Sequence, residues 1–461
     1  MHPRTENKMG QGLRIPSWSP FIQMKIVYCK TRWACVARVF VQRMQVAMLT
    51  VLTAFLIVPT AFAQSTAPLR IEEAVAIAAD GEPGAEAIRA RAEALREESV
   101  VAGQLPDPQL RLGVGNFPIE SGGFTTEGMT QAQIGIRQAF PAGDTRALST
   151  RRLEAMASKM SESAAARDRD VVTAVRRSWL DLYYWERAET VVTETREYFD
   201  DLVTVTRSLY AVGKKDQQDV LQAELALSRL NDRLISINRQ RARGRAALGE
   251  WIGAAARRPL DSTLPSWPAL PPYEPLREAL AQHPAIEAAD AEVRASKAGI
   301  DLAQEQYKPG WAIDLGYGYR DGSLVTGEPR SDFVSLSVVV DLPLFKANRQ
   351  DRKLSAALSE RRAVEQEREQ LMRRLQSQLE AEYARWQDLT RRIELYQRSI
   401  LPQAEDRANA ALLAYQSQSG DFTDVMRGYI DALETKLAYE QLLTERAQTH
   451  AVIANLGGLN P

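Results

Sequence analysis

Cysteine is almost missing from this chain: of 461 residues only Cys29 and Cys35 carry a thiol, and both precede residue 64. Residues 64–461 can therefore hold neither a disulfide framework nor a thiolate metal site. Histidine is as scarce. His283 and His450 lie too far apart in sequence to read as a ligand pair, and His283, in Gln-His-Pro ahead of a helix, reads as a capping residue. No glycine-rich phosphate loop follows a strand pattern, and no serine sits in a nucleophile motif. The paired acids Glu72-Glu73 and Glu97-Glu98 fit solvated helix faces better than acid–base couples. Met129, Met156, Met160, Met372 and Met426 are scattered, whereas a relay for soft metals would cluster them. No enzyme, no cofactor and no resident metal is expected. Nor is there an excess of positive charge: residues 64–461 carry 50 Lys and Arg against 58 Asp and Glu, which argues against a nucleic-acid partner.

Residues 1–63 form a leader of a different composition. Met44 to Ala63 is an apolar run ending in Ala61-Phe62-Ala63, preceded by Lys25, Lys30, Arg32, Arg38 and Arg43. The short apolar core and the small-x-small ending favour a removed export signal over a membrane anchor. Gln64 is then the expected first residue of the exported chain, with no cysteine there to accept a lipid.

Proline is absent from Asp144 to Val212, and apolar residues recur there every three or four positions, as at Val172, Val175, Trp179 and Leu182. As a helix this stretch is roughly 100 Å long, well beyond the ~30 Å core of a bilayer. It is too polar for lipid, with Arg167, Asp168, Arg169 and Asp170 in a row, so it reads as a soluble rod. After Gly213 a returning helix carries a coiled-coil seam of Val220, Ala223, Leu227, Leu230, Leu234 and Ile237. Ahead of the rod, two runs alternate apolar with small or polar residues. Leu110, Leu112 and Val114 mark the first, Ile134 and Ile136 the second.

The plan then repeats. A proline-rich linker over 259–274 separates a first repeat, 64–258, from a second, 275–461. The second has a helix over Pro275 to Gln306 and alternating runs at Trp311 to Tyr319 and Val334 to Val340. Its own rod is expected to kink or divide at Pro402, and its last helix runs from Phe422 to Leu456. Tyr210 to Leu221 aligns without gaps on Tyr415 to Met426 at an offset of 205, with Asp219-Val220 on Asp424-Val425.

Strand runs of this length suit a tilted bilayer crossing, and Phe117, Trp311, Tyr317, Tyr319 and Phe333 near their ends suit an interfacial aromatic girdle. A small soluble sheet would explain the alternation but not those aromatics. Backbone in lipid must be fully paired, so four strands would have to join others in a shared barrel; three chains supply twelve.

On the export leader, the duplicated helix–strand–strand–rod–helix unit and the Tyr-x-x-Gly…Asp-Val-Leu turn, residues 64–461 resemble the TolC-like outer-membrane efflux proteins. The resemblance implies a mainly α tandem-repeat fold with a small membrane β part: a homotrimer whose twelve-stranded β-barrel continues as an α-helical barrel through the periplasm. It also implies two partners, a periplasmic adaptor and an inner-membrane pump. Pro106-Asp107-Pro108-Gln109-Leu110 with Gly113 and Asn116-Phe117-Pro118, and Gln138-Ala139-Phe140-Pro141, are similar to the branch serving heavy-metal pumps. The expected role is a passive exit duct for metal cations. Multidrug and type I secretion ducts share the architecture, and a periplasmic coiled-coil adaptor is the reading from another class. The resemblance assigns the entrance constriction to Asp424 and, by the repeat, Asp219, with Arg427 one turn on. An acid stabilised by the helix dipole is the plainer reading of both aspartates. Adaptor docking is implied at the tips Val212-Gly213-Lys214 and Ser419-Gly420-Asp421.

Overall fold

In the computed structural model, which describes residues 67–459, thirteen helices and strands run in the order expected of a duplication. The export-signal run lies outside the described residues. The first repeat consists of α1 (Ile71–Ala79), α2 (Pro83–Ala102), β1 (Gln109–Gly115), β2 (Gln131–Phe140), α3 (Thr145–Ala211) and α4 (Gln217–Ile252). The second consists of α5 (Tyr273–Ala279), α6 (Pro284–Glu305), β3 (Trp311–Tyr319), β4 (Phe333–Val340), α7 (Gln350–Leu395), α8 (Leu401–Gln416) and α9 (Phe422–Leu456).

The rod α3 is one unbroken helix of 67 residues. Nothing in it terminates a helix until Gly213, whose φ of 69° ends the run. Its apolar stripe is buried along its length, with Val175, Trp179 and Leu182 fully enclosed. The second rod begins and ends at the same offset of 205, from Gln350 to Gln416, and its α-helix is interrupted just ahead of Pro402. A π-helical turn over Tyr396–Ile400 joins α7 to α8, and the flanking residues keep helical backbone angles. The wider turn absorbs the missing proline N–H, so the two helices run on from one another.

The expected helix over Pro275 to Gln306 is broken instead. A 3₁₀ turn over Leu280–Gln282 leads to His283, whose Nδ1 accepts from the Ala285 N–H at 3.2 Å, with Pro284 at the first helical position of α6. The first repeat solves the same problem with a different side chain. Glu82 accepts from Ala85 N at 2.6 Å ahead of Pro83, and Arg167 of the rod clamps that carboxylate at 2.9 Å.

Three larger cores line up along the rods. One joins α1, the middle of α3 and the end of α4 around Trp179, whose indole N–H donates to the Leu69 carbonyl at 3.1 Å. A second does the same for the other repeat around Leu276, Ile286 and Leu379. The stretch 259–274 does more than link them. Leu69 and Leu260 form a parallel bridge, and Trp267 stacks on His450 at 5.0 Å. The third core lies at the far end of the rods, where both hairpins contribute: Phe199, Leu202, Ala223 and Leu230 from α3 and α4, Phe422, Val425 and Leu433 from α9.

The four strands make one antiparallel sheet in the order β1-β2-β3-β4, so the repeats meet edge to edge at β2 and β3. Residues directly opposite one another share a face. The register sets Leu110 against Ile136, Ile136 against Leu315 and Leu315 against Leu336; the next row is Leu112, Ile134, Tyr317 and Val334. One face is therefore apolar across all four strands, and it is exposed. The other carries Arg111, Gln133, Arg137, Asp314, Ser335 and Ser337, with Arg111 and Asp314 paired at 3.6 Å. Glycine at Gly115 and Gly318 on this polar face makes room for Gln133 and Gln131, whose side chains occupy the space a Cβ would need.

Candidate functional site

The site built by the rods is their common tip. Both tips use the same local chemistry. In the first, α3 ends at Ala211, Val212 caps it, and α4 starts after Asp216 with Asp219 in its first turn. In the second, α8 ends at Gln416, and α9 starts after Asp421 with Asp424 in its first turn. The Asp219 and Asp424 amides each bond to the carbonyl three residues back, at 3.2 Å in both repeats. Each carboxylate thus sits among the free N–H groups of a helix start, where the dipole stabilises it by ~0.3–1 kcal/mol.

The glycines of the tips differ in kind. Gly213 has open space about it and is needed for its positive φ alone. Its counterpart at offset 205 is Gln418, which takes φ of 63° without being a glycine. Gly420 has an ordinary φ, but a Cβ there would lie 2.9 Å from the Ala414 Cβ, and its amide bonds to the Ala414 carbonyl at 3.1 Å. Close approach therefore applies at Gly420 and not at Gly213.

The two tips are joined through one tyrosine, which sequence reasoning used only as a repeat marker. Tyr415 is 2% exposed, packs with its ring tilted against Phe422 at 5.2 Å and donates its hydroxyl to Asp219 Oδ2 at 3.2 Å across the repeat boundary. Lys215 lies over its ring at 4.1 Å. Burial first, and then the Asp219 charge and hydrogen bond, push the phenol above its usual range, so it remains a donor. Asp424 and Arg427 are exposed, as are Val212, Gly213, Lys214, Ser419 and Asp421, with Gly420 half-buried. Ser417 and Ser419 share a hydroxyl contact of 2.9 Å that stiffens the second turn.

At the opposite end, Trp311 stacks on Phe140 at 4.1 Å on the apolar face, and Tyr317 lies on the same face nearer the loops, with Tyr319 beyond it. Phe333 departs from the expected girdle. Its partner is Gly318, on the face of Ser335 and Ser337, and the Arg320 guanidinium covers its ring at 3.8 Å. Alternation decides this, because Phe333 is one residue out of phase with Val334 and Leu336. The loops are tied to each other, with Arg330 donating to the Thr125 and Glu127 carbonyls at 3.2 Å.

No helix among the described residues is long and apolar enough to cross a membrane. What remains is a four-stranded sheet with an apolar face, set at one end of paired helical rods whose other end carries two acidic turns. Residues 276–458 match the model of the outer membrane efflux protein family. The chain superposes on the outer membrane protein VceC of Vibrio cholerae with a TM-score of 0.72 at 16% identity, over 85% of this chain and 96% of that one. CusC gives a TM-score of 0.72 at 15% identity, over 85% and 92%. At such identities the likeness concerns the fold, which is that of the TolC-like channels. A curated relative, protein CyaE of Bordetella pertussis, is 24% identical over 259 residues, about half of each chain (52%).

Replacing Gly213 by Ala forces a Cβ into a left-handed position and is expected to cost roughly 1 kcal/mol, whereas Gln418→Gly relieves the same strain by up to about 1 kcal/mol. Hydrogen exchange of the tip amides measures both. Equal protection in Gln418→Gly and the parent would contradict the strain.

Proposed function

We propose that this protein is a passive exit duct of the outer membrane, built from three copies, that releases heavy-metal cations handed over by an RND-type pump through a periplasmic adaptor. One observation carries the membrane and trimer reading: the register makes a single face of the sheet apolar except at Gln138, while β1 and β4 keep unpaired edges. In lipid an unpaired edge costs several kcal/mol per group, so the edges must meet. Joining β4 of one copy to β1 of the next closes twelve strands, with Trp311, Tyr317 and Tyr319 at the interfaces and Arg111, Asp314, Ser335 and Ser337 lining the lumen. The rods would then continue into the periplasm over roughly 100 Å.

The tips supply the entrance. Asp219 and Asp424 from three copies form a ring of carboxylates that favours cations over anions. The adaptor's own hairpins would dock at Val212, Gly213, Lys214, Ser419, Gly420 and Asp421. The metal preference rests on the Pro106-to-Pro118 and Gln138-to-Pro141 motifs, which span the first strand and the end of the second.

A strain lacking the protein, challenged with copper, silver, zinc, cobalt, cadmium, dyes and antibiotics, is expected to lose tolerance to metals alone. Broad drug sensitivity would overturn the metal reading and leave a general duct. In planar bilayers Asp424→Ala is expected to weaken cation preference, and unchanged selectivity would remove the entrance role. Leu336→Arg should cost about 2–4 kcal/mol of membrane folding stability while Ser337→Arg stays near neutral. Equal costs at the two neighbours would argue against a lipid-facing row.

A further inference from the structure

The contact between the two hairpins inside one chain leaves its counterpart unmade. At offset 205, Tyr415 corresponds to Tyr210, Met426 to Leu221, Asp219 to Asp424, and Gln222 to Arg427. The helices agree with this alignment: α3 and the α7–α8 rod start and end at the same offset, and so do the starts of α4 and α9. In the second hairpin the matched side chains are covered by the first: Tyr415 is 2% exposed and Met426 7%. In the first hairpin nothing covers them: Tyr210 is 47% exposed and Leu221 56%, with Leu225 exposed beside them. Among the described residues no tyrosine donates to Asp424 as Tyr415 does to Asp219, and Asp424 too is exposed.

We propose that this uncovered face of the first hairpin, Tyr210 with Leu221 and Leu225, packs on the second hairpin of a neighbouring copy, where the Tyr210 hydroxyl donates to the partner's Asp424. The proposal rests on the trimeric reading above and adds its residue contacts. The occupant is a second copy because the chain already contains one instance of the mating pair. The face that covers Tyr415 and Met426 is a hairpin beginning Asp-Val, and the second hairpin presents the same elements outward. Apolar area that would stay wet in a single chain is covered this way without a new kind of contact. By the same mapping Arg427 meets Gln218 of the partner subunit, as Gln222 meets Thr423 within the chain at 3.4 Å. Arg427 is thereby turned away from an ion pair with the partner's Asp424. Every carboxylate of the ring then accepts from a buried tyrosine, three within chains and three between.

In a chain with Cys29 and Cys35 replaced by serine, the pair Tyr210→Cys with Asp424→Cys tests the contact. A short bifunctional thiol reagent is needed, since a tyrosine–carboxylate pair holds its Cα atoms too far apart for a direct disulfide. Applied to the detergent-extracted particle, it should link chains into dimer- and trimer-sized bands on denaturing gels. The pair Asp219→Cys with Tyr415→Cys should link only within a chain. Trimers by light scattering that give no interchain bands for the first pair would overturn the contact. Monomers by light scattering would instead overturn the assembly on which it rests. The conservative variants give a second readout in planar bilayers: Tyr210→Phe should raise the resting conductance by the same factor as Tyr415→Phe. An unchanged Tyr210→Phe channel beside a leakier Tyr415→Phe channel would also overturn it.

Discussion

A β-sheet four strands wide with one apolar face has two liabilities, a surface that water does not tolerate and two rows of unpaired backbone groups at its edges. In this chain neither is relieved internally. The helices pack on one another and leave the sheet bare, and β1 and β4 stay open on their outer sides. Everything else is compatible with an environment that supplies the missing surface and neighbours that supply the missing edges. The polar face, with its glycines, glutamines and the Arg111–Asp314 pair, suits water on the inside of a closed wall.

The rods are organised differently. Their stability lies in three cores strung along roughly 100 Å, with ion pairs decorating the outside. Most of those pairs are exposed and contribute little each. The cores also set how the repeats relate. At the sheet end the repeats are joined by backbone pairing of β2 with β3, and at the tip by side chains, Tyr415 on Asp219 within a shared apolar cluster. Backbone pairing is extensive and hard to undo. The tip contact is a few side chains around one charged hydrogen bond, so a movement of the hairpins would begin there.

The apparent departures from the repeat follow from local chemistry. Pro402 has no counterpart in the first rod, and a π-helical turn accommodates it without changing the rod's length. Gly213 and Gln418 occupy one left-handed position, the glycine without strain and the glutamine with it. Glu82 and His283 both cap a helix that starts with proline. In each case the backbone requirement is shared and the side chain that meets it is not.

Much was legible from the residues alone. Proline-free length set the rod, period-two alternation set the strands, and the seam from Val220 to Ile237 named the buried face of α4, because these patterns depend only on helix and strand geometry. The offset of 205 located both acidic turns. Only the tertiary structure decided which residues meet across the repeats. The face of Phe333 depends on its register against β3, and Tyr415 reaches Asp219 only because the hairpins pack side by side. Sequence periodicity says which side of an element is apolar but not what that side touches. Partners nearly 200 residues apart are chosen by packing, and packing carries no local mark.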